Sequence, residues 1–203
     1  MTITAKDVQN LRQATGVGMM DAKRALEANN GDMEAAVQWL LVQGLAQAAK
    51  RAGRVASEGS VGAYIHAGGK LGVLVEVNCE SDFVAKTPEF QTLVKELAMQ
   101  IAAANPRCVR REELSADIIE QERQIYASQA AGKPEPVINK IVEGKLEKFY
   151  REVCLLEQGY VRDPARTVSE LLGEYVAKLG EKIEVRRFVR FQLGEGLENK
   201  GTP

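Results

Sequence analysis

The segment best suited to molecular recognition consists of Ser81, Asp82, Phe83 and Val84. It follows an apolar run that begins at Leu71 and alternates as a β-strand does. An aromatic ring at the junction between a strand and a helix can project from a rigid scaffold, and such anchors contribute strongly to protein interfaces. The alternative is that the ring fills the core of its own protein, which is the commoner position for a phenylalanine. Composition alone leaves both interpretations open.

Cys79 and His66 are the residues that could act as a nucleophile and its base. In a hairpin that turns at Gly68 and Gly69, His66 lies beside the turn, whereas Cys79 lies about 26 Å along the second strand at ~3.3 Å per residue. The two side chains are then too far apart to react or to share a metal ion. We therefore predict a protein that is not an enzyme and that has no metal site and no cofactor.

A nucleotide-binding loop is also not supported by the sequence. Gly68, Gly69 and Lys70 are followed by Leu71, and Tyr64 stands where a phosphate-binding loop needs its first glycine. We predict that the chain does not bind nucleotide directly.

Composition narrows the class of partner. The 203 residues include 45% hydrophobic and 27% charged residues, with a formal net charge of -1, which is typical of a globular protein rather than of a basic nucleic-acid binder. The sequence shows no signal-peptide pattern and no apolar run of membrane-spanning length, which predicts a cytoplasmic protein without membrane contact. Cys79, Cys108 and Cys154 are too few and too scattered for a disulfide framework, and we expect them to be small buried residues.

The first part of the chain has the pattern of three short helices over residues 4–44. Thr4 and Asp7 have the spacing of a capping box, and Asp32 can cap the third helix. Gly44 follows the last apolar residues of that helix and is predicted to end it. The three helices together resemble a ubiquitin-associated domain.

One face of this helical unit is a candidate contact surface. Met19 and Met20 are adjacent, so on a helix they point about 100° apart, and we expect one of them to be exposed. A flexible thioether suits an adaptable protein contact, and Arg12 and Lys23 would add basic groups around it. The alternatives are a half-buried methionine and an ordinary solvated charged face.

The remainder of the chain has the pattern of an α+β core. Val61, Ala63 and Ile65 alternate, turn residues follow, and the alternation resumes at Leu71, which predicts an antiparallel hairpin. Helical patterns follow, and apolar residues alternate again from Ile183, which predicts a third strand and hence a three-stranded antiparallel sheet packed with helices. The predicted organisation is a three-helix domain over residues 1–45, a linker over 46–57, an α+β core over 58–193 and a flexible tail over 194–203.

Three separate segments resemble bacterial elongation factor Ts. Residues 78–86, Asn-Cys-Glu-Ser-Asp-Phe-Val-Ala-Lys, are similar to the family signature, in which Thr-Asp-Phe-Val stands where this chain has Ser81 to Val84. Residues 11–26 resemble the amino-terminal signature of the family, and residues 183–188 resemble its carboxy-terminal strand. Three matches in the same order make a chance resemblance improbable, and the single strand-and-helix module resembles the short members of the family.

The resemblance implies a guanine-nucleotide exchange factor for elongation factor Tu, the GTPase that delivers aminoacyl-tRNA to the ribosome. It implies that Arg12, Met19 and Met20 contact the nucleotide-binding domain of the partner. In the same way it implies that Asp82 and Phe83, within the Ser81 to Val84 motif, reach the Mg²⁺ side of that domain. For a short member it also implies a homodimer formed through the core domain.

The competing hypothesis is a scaffold or a ubiquitin-associated-like binding module without exchange activity. The first three helices alone would suit that role. An exchange factor changes the rate at which GDP leaves the GTPase, whereas an adaptor binds and leaves the rate unchanged. An organellar setting for either role also stays open.

Overall fold

A computed structural model describes residues 3–197 of the chain, so residues 198–203 of the predicted tail lie outside the described part. The helices are α1 (Ala5–Thr15), α2 (Met19–Ala28), α3 (Met33–Arg51), α4 (Asp82–Ala85), α5 (Pro88–Ala104), α6 (Ala116–Gln129), α7 (Glu135–Val153) and α8 (Val168–Leu179). The strands are β1 (Glu58–Ile65), β2 (Leu71–Cys79), β3 (Gly159–Tyr160), β4 (Asp163–Thr167) and β5 (Ile183–Gln192). Within residues 3–197, no helix has the length and apolar character needed to cross a membrane.

The described residues divide into two compact units. The first unit consists of the residues up to Ser60, Val77–Leu93 and Ser169–Glu184, and the second consists of Val61–Glu76, Val94–Val168 and the residues from Val185 onward. The domain boundaries at residues 45 and 57 stay predictions.

In the first unit, the three predicted helices form, and the predicted capping residues begin α1 and α3. Thr4 and Asp7 form the capping box of α1, with the Asp7 backbone N–H donating to Thr4 Oγ1 at 3.2 Å and the Thr4 N–H donating to Asp7 Oδ2 at 2.9 Å. Asp32 caps α3 by accepting a hydrogen bond from the Ala35 N–H at 2.9 Å. The apolar residues that these helices bury together are Val8, Leu11, Val17, Ala22, Ala25, Leu26, Ala36 and Leu40.

The prediction that Gly44 ends the third helix is wrong, because α3 continues to Arg51 and takes in the first six residues of the predicted linker. Gly44 is a point of close approach instead. A Cβ atom at this position would lie 2.8 Å from the carbonyl oxygen of Gly173 in α8, a distance that real Cβ atoms essentially never show. Glycine is therefore required at both positions, because the backbones of α3 and α8 nearly touch there.

The fold class is confirmed: helices accompany a three-stranded antiparallel sheet with the strand order β1-β2-β5. On β2, Val73, Val75 and Val77 are all buried. Val61 and Ile65 on β1 face away from the core and are exposed. The sheet therefore has a buried face and an open face, and part of its apolar alternation lies on the open one.

The alternation of β5 changes phase in its middle. Val185 is buried, whereas Val189, four residues later, is exposed, although a regular strand would place both on one face. Arg186 and Arg187 between them both pair with Glu76 on β2, at 2.8 and 2.6 Å. The burial pattern of β5 therefore shifts by one residue after Val185, and the outer apolar residues Val189 and Phe191 are exposed.

The helices of the second unit include a hairpin of α6 and α7, which pack on each other. Buried Gln100 connects α5 to the small sheet of β3 and β4, because its side chain contacts Gln158, Gly159 and the Val161 N–H. The antiparallel pair of β3 and β4 was not predicted. Its short strands contain a proline and show no alternation, so the sequence carries no strand signal there.

We predict that Gly44→Ala lowers the free energy of unfolding by about 1–3 kcal/mol, because the added methyl group overpacks the contact with Gly173. Gly144→Ala is the matched control on an exposed part of α7, where nothing lies within 4 Å of the new Cβ. The control should raise the free energy by about 0.5–1 kcal/mol through helix propensity. Urea unfolding followed by circular dichroism measures both, and equal effects would refute the close approach.

Candidate partner-binding site

Phe83 lies on α4, a helix of four residues that directly follows β2, and its side chain is 80% exposed. The adjacent residues Val84 and Ala85 are buried. The ring therefore does not fill the core, and of the two interpretations of Phe83 the projecting one agrees with the structure. The buried neighbours fix the helix to the protein while the aromatic side chain points to solvent.

Ser81 begins this short helix as its N-cap. Its Oγ accepts a hydrogen bond from the Val84 N–H at 3.3 Å, and its carbonyl oxygen accepts one from the Ala85 N–H at 3.2 Å. The hydroxyl group makes the capping contact, and threonine carries the same hydroxyl group. The replacement of the usual threonine by Ser81 therefore keeps the cap and removes one methyl group.

The carboxyl end of α4 is also held by hydrogen bonds. Thr87 Oγ1 donates to the Val84 carbonyl at 2.8 Å, and Gln91 Nε2 donates to the Ala85 carbonyl at 2.7 Å. Carbonyl groups at a helix end have no partner within the helix, so these contacts satisfy groups that would otherwise need water. The helix that carries Phe83 is thereby fixed at this end.

Two acidic residues, Glu80 and Glu181, hold the chain at the amino end of α4. We call this arrangement the carboxylate clasp and define it by Glu80, Ser81, Glu181 and Lys182. Glu181 Oε2 accepts hydrogen bonds from the N–H groups of Glu80 and Ser81 at 3.1 and 3.0 Å, and its Oε1 accepts one from Ser81 Oγ at 2.6 Å. In the other direction, Glu80 Oε1 accepts a hydrogen bond from the Lys182 N–H at 2.6 Å. Each carboxylate thus binds the backbone of the opposite segment.

The charges of the clasp are partly balanced by neighbouring cations. Arg54 pairs with Glu80 at 3.2 Å, and the Lys182 ammonium donates to the Arg54 carbonyl at 3.0 Å. The pKa of Glu80 is lowered, first by the hydrogen bond from the Lys182 backbone and then, against the effect of burial, by the hydrogen bond from Arg54. Both contacts favour the ionised carboxylate, so the clasp is formed in the charged state of Glu80.

Asp82 is exposed beside Phe83 and pairs with Lys86 one turn along. The hydrogen bond from Lys86 to Asp82 raises the pKa of the lysine. A surface pair of this kind contributes little to stability. Asp82 is therefore available to a partner without the loss of a structural contact.

The amino-terminal residues Arg12, Met19 and Met20 are all exposed. The prediction was that one of the two methionines would be exposed, and both are, with 48% of Met19 and 65% of Met20 accessible. These residues belong to the same compact unit as Phe83. Lys23, the other basic residue of the predicted surface, forms an ion pair with Glu27 at 3.6 Å.

Cys79 is buried at the end of β2, where burial first and the charge of Glu181 second raise the pKa of its thiol to about 11. At neutral pH this side chain is therefore a thiol and not the thiolate that attacks substrates. His66 forms a hydrogen bond with Tyr64 at 2.9 Å. Among residues 3–197, no three side chains of His, Cys, Asp or Glu form a group suited to a metal ion.

The open face of the sheet is a second surface of interest, and it lies in the second unit. Exposed apolar side chains come from β1, β2 and β5, and they are Val61, Ile65, Leu74, Val189 and Phe191. Val61, Leu74 and Val189 line a groove of about 270 Å³, whose rim also carries Glu76 and Arg187. An apolar area of this kind on a sheet is typical of a surface that binds another protein.

Glu181 is the residue of the Phe83 site that the sequence analysis does not identify. It is separated from Ser81 by 100 positions, and a single glutamate in a short loop resembles any solvated acidic residue. The one local signal is Gly180, a residue typical of helix ends, which ends α8 with a φ of 75°. That signal placed the loop but not its contact with Ser81.

Comparisons with known proteins show one family across the chain. The family model described as "Elongation factor TS" matches residues 22–195. The elongation factor Ts of Geobacter metallireducens is 58% identical over 204 residues, which cover 100% of this chain and 94% of the relative. The elongation factor Ts of a Thermoanaerobacter species is 60% identical over 202 residues, covering 98% of this chain and 99% of the relative. That of Carboxydothermus hydrogenoformans is 60% identical over 200 residues, covering 98% and 92%.

The lowered pKa of Glu80 predicts a pH-dependent stability. Because the folded pKa lies below the ordinary value of 4.5, the stabilisation is complete above that value and disappears as the pH falls through the folded pKa. Glu80→Gln should therefore be less stable than the natural chain near pH 7, and the difference should shrink at about pH 3. Urea unfolding at the two pH values tests this, and a difference that is the same at both would contradict it.

Proposed function

The chain belongs to the elongation factor Ts family and has a role in translation elongation, and on that premise we propose that it is the guanine-nucleotide exchange factor for elongation factor Tu. In this proposal it promotes the release of GDP from the GTPase and stabilises the nucleotide-free state, which GTP then reloads. The chain itself binds no nucleotide and performs no covalent catalysis.

The observation that best supports this proposal is the exposed ring of Phe83 on a firmly held helix. A phenylalanine that is 80% exposed gains nothing from its own fold, because the apolar surface stays in water. The same ring would gain substantial free energy if it entered a pocket of a partner. Since α4 is bonded at both ends, little conformational entropy would be lost when the ring is buried there.

The proposed mechanism is thermodynamic linkage. A protein that binds the nucleotide-free GTPase more tightly than the GDP-bound form must weaken the binding of GDP. The ratio of the two affinities sets the size of this weakening. We assign to Phe83 the role of a wedge that displaces the elements holding Mg²⁺ in the partner, with Asp82 beside it. Loss of the cation removes the charge neutralisation on the phosphates, and GDP leaves faster.

A second contact would come from the amino-terminal helices. We propose that Arg12, Met19 and Met20 bind the nucleotide-binding domain of the GTPase, with the thioether groups adapting to its surface. Their exposure supports this role, and so does their position in the same compact unit as Phe83. Binding by this surface would hold the partner while Phe83 acts on the metal side. Because the proposed partner serves the ribosome, we place the protein in the cytoplasm.

The competing function is that of an adaptor, which binds the GTPase through the first three helices and leaves its nucleotide unchanged. That hypothesis gives no role to an exposed, well-anchored Phe83. The exchange factor explains both exposed surfaces of the first unit, so we favour it.

We also propose that the protein forms a homodimer through the open face of its sheet. Val61, Leu74 and Phe191 are exposed there, and burial of apolar surface is the main driving force of stable association. A second copy offers the same face, so the interface would be isologous with a twofold axis. Edge strands and exposed apolar faces of sheets are otherwise prone to unspecific association.

We predict that Phe83→Ala leaves folding intact but slows the GDP release that the chain stimulates. Because the side chain is exposed, the free energy of unfolding should change by less than about 0.5 kcal/mol. The maximal release rate should fall roughly thirtyfold, the effect of losing about 2 kcal/mol of interaction in the transition state. Stopped-flow dissociation of fluorescent GDP from elongation factor Tu measures the rate.

The control for this experiment is Ile125→Ala, which removes an exposed apolar side chain from α6. With this variant, elongation factor Tu should release GDP at the rate seen with the natural chain. Asp82→Ala should have a smaller effect than Phe83→Ala if Asp82 mainly orients the segment. Release at the natural rate with Phe83→Ala would rule out the wedge.

For the homodimer we predict that Phe191→Asp raises the dissociation constant of the dimer roughly tenfold or more, because a charge would be buried in an apolar interface. The matched control is Val137→Asp, at an exposed position in the first turn of α7, where an acidic residue is tolerated. Light scattering over a concentration series reports the mass. A natural chain that is monomeric at high concentration, or equal dimerisation of both variants, would refute the interface.

A further inference from the structure

Glu181 makes a contact with the Phe83 segment that is stronger than an ordinary surface hydrogen bond. One oxygen of its carboxylate accepts the N–H groups of two consecutive residues, Glu80 and Ser81, and the other accepts the Ser81 hydroxyl. Hydrogen bonds to an ionised acceptor are roughly twice as strong as neutral ones. All three bonds converge on the residues directly before α4, so they act where the direction of that helix is set.

The length of α4 makes it dependent on such contacts. A single helical turn does not hold its own conformation, because nucleation of a helix costs more than one turn of hydrogen bonds returns. α4 has four residues. Its carboxyl end is bonded to Thr87 and Gln91, which follow closely in the sequence. Its amino end is bonded to Glu181, and its local support consists of the Ser81 cap and of the Cys79 thiol, which donates weakly to the Ser81 carbonyl at 3.2 Å.

Glu181 is in turn a well-placed support. Gly180 ends α8 in the left-handed conformation, and β5 begins at Ile183, so only two residues lie between a helix end and a strand. The reciprocal bond from the Lys182 N–H to Glu80 holds the same two residues from the other side. α8 itself is in close backbone contact with α3 through Gly173 and Gly44. The carboxylate therefore projects from a short, firmly held link.

We propose that Glu181 is a positioning residue for nucleotide exchange, which fixes the direction in which Phe83 projects without contacting the GTPase itself. This inference rests on the proposed function of Phe83 as a wedge. Without Glu181, two N–H groups and a hydroxyl group lose their shared acceptor, and the direction of α4 is set less firmly at its amino end. Misplacement of a reacting or displacing group by 1 Å is enough to cost a large part of a rate.

The test uses the full chain and the stimulated release of fluorescent GDP from elongation factor Tu over a range of chain concentrations. Glu181→Ala should lower the maximal release rate about tenfold. The concentration of half-maximal effect should change by less than about twofold, because the amino-terminal contact is intact. The maximal release rate with Glu181→Gln should lie between those of Glu181→Ala and the natural chain, since an amide oxygen still accepts the two backbone N–H bonds. Glu152→Ala on an exposed part of α7 is the matched control and should behave as the natural chain.

A second readout separates positioning from a general loss of stability. The Ser81 amide proton, measured by hydrogen exchange in the chain alone, should exchange faster in Glu181→Ala than in the natural chain. A purely structural role would lower the melting temperature and leave the maximal release rate unchanged when measured well below it. If Glu181→Ala does not fold, Glu181→Gln carries the test, with slower release and faster Ser81 exchange expected.

The outcomes distinguish this proposal from the function on which it rests. Slow GDP release with Phe83→Ala, together with a natural release rate with folded Glu181→Ala, overturns the positioning role alone. Natural rates for both variants overturn the wedge and the positioning role together. Unchanged exchange of the Ser81 amide in Glu181→Ala overturns the clasp itself, whatever the release rates are.

Discussion

The carboxylate of Glu181 on the backbone of Glu80 and Ser81 is the interaction on which the proposed site depends. It joins segments that are 100 residues apart in the chain and holds the amino end of a helix too short to be stable alone. Through Gly180 it continues into α8, whose backbone touches that of α3 at Gly44. The helices with Met19 and Met20 and the helix with Phe83 thereby belong to one compact unit. The two proposed contact surfaces therefore lie in the same unit.

The apolar residues that the fold leaves exposed are as informative as its core. Phe83 in the first unit and Phe191 in the second are both large aromatic side chains that remain mostly in water. In each case the backbone beneath is held, by hydrogen bonds at both ends of α4 and by the β2-β5 pairing under Phe191. Exposed aromatic residues on well-ordered elements are typical of binding surfaces rather than of loosely packed regions.

Much of this fold follows from local sequence signals, because each signal acts through the residues next to it. The capping box of Thr4 and Asp7 and the cap of Asp32 lie where the sequence places them. The segment of Ser81 to Val84 was likewise recognised as a junction between strand and helix. In these cases a few neighbouring residues decide the conformation.

The sequence failed where the deciding contact is distant. Gly44 is a residue type that often ends a helix, but its role is determined by Gly173, more than a hundred positions away. No neighbouring residue in the sequence indicates that contact. The alternation of apolar residues in β5 gives no sign that the burial pattern shifts after Val185, since Val189 and Phe191 continue the same alternation. Glu181 is missed for the same reason. Long-range packing, rather than local propensity, determines each of these positions.

The central claim is that an aromatic ring held by this fold favours the nucleotide-free form of a GTPase. Its most direct test is a comparison of two affinities of the natural chain, for GDP-bound and for nucleotide-free elongation factor Tu, by isothermal titration calorimetry. We expect tighter binding to the nucleotide-free form, by the same factor by which the chain weakens the affinity of the GTPase for GDP. Equal affinities for the two forms would contradict the claim, because a factor without such a preference cannot shift the nucleotide equilibrium.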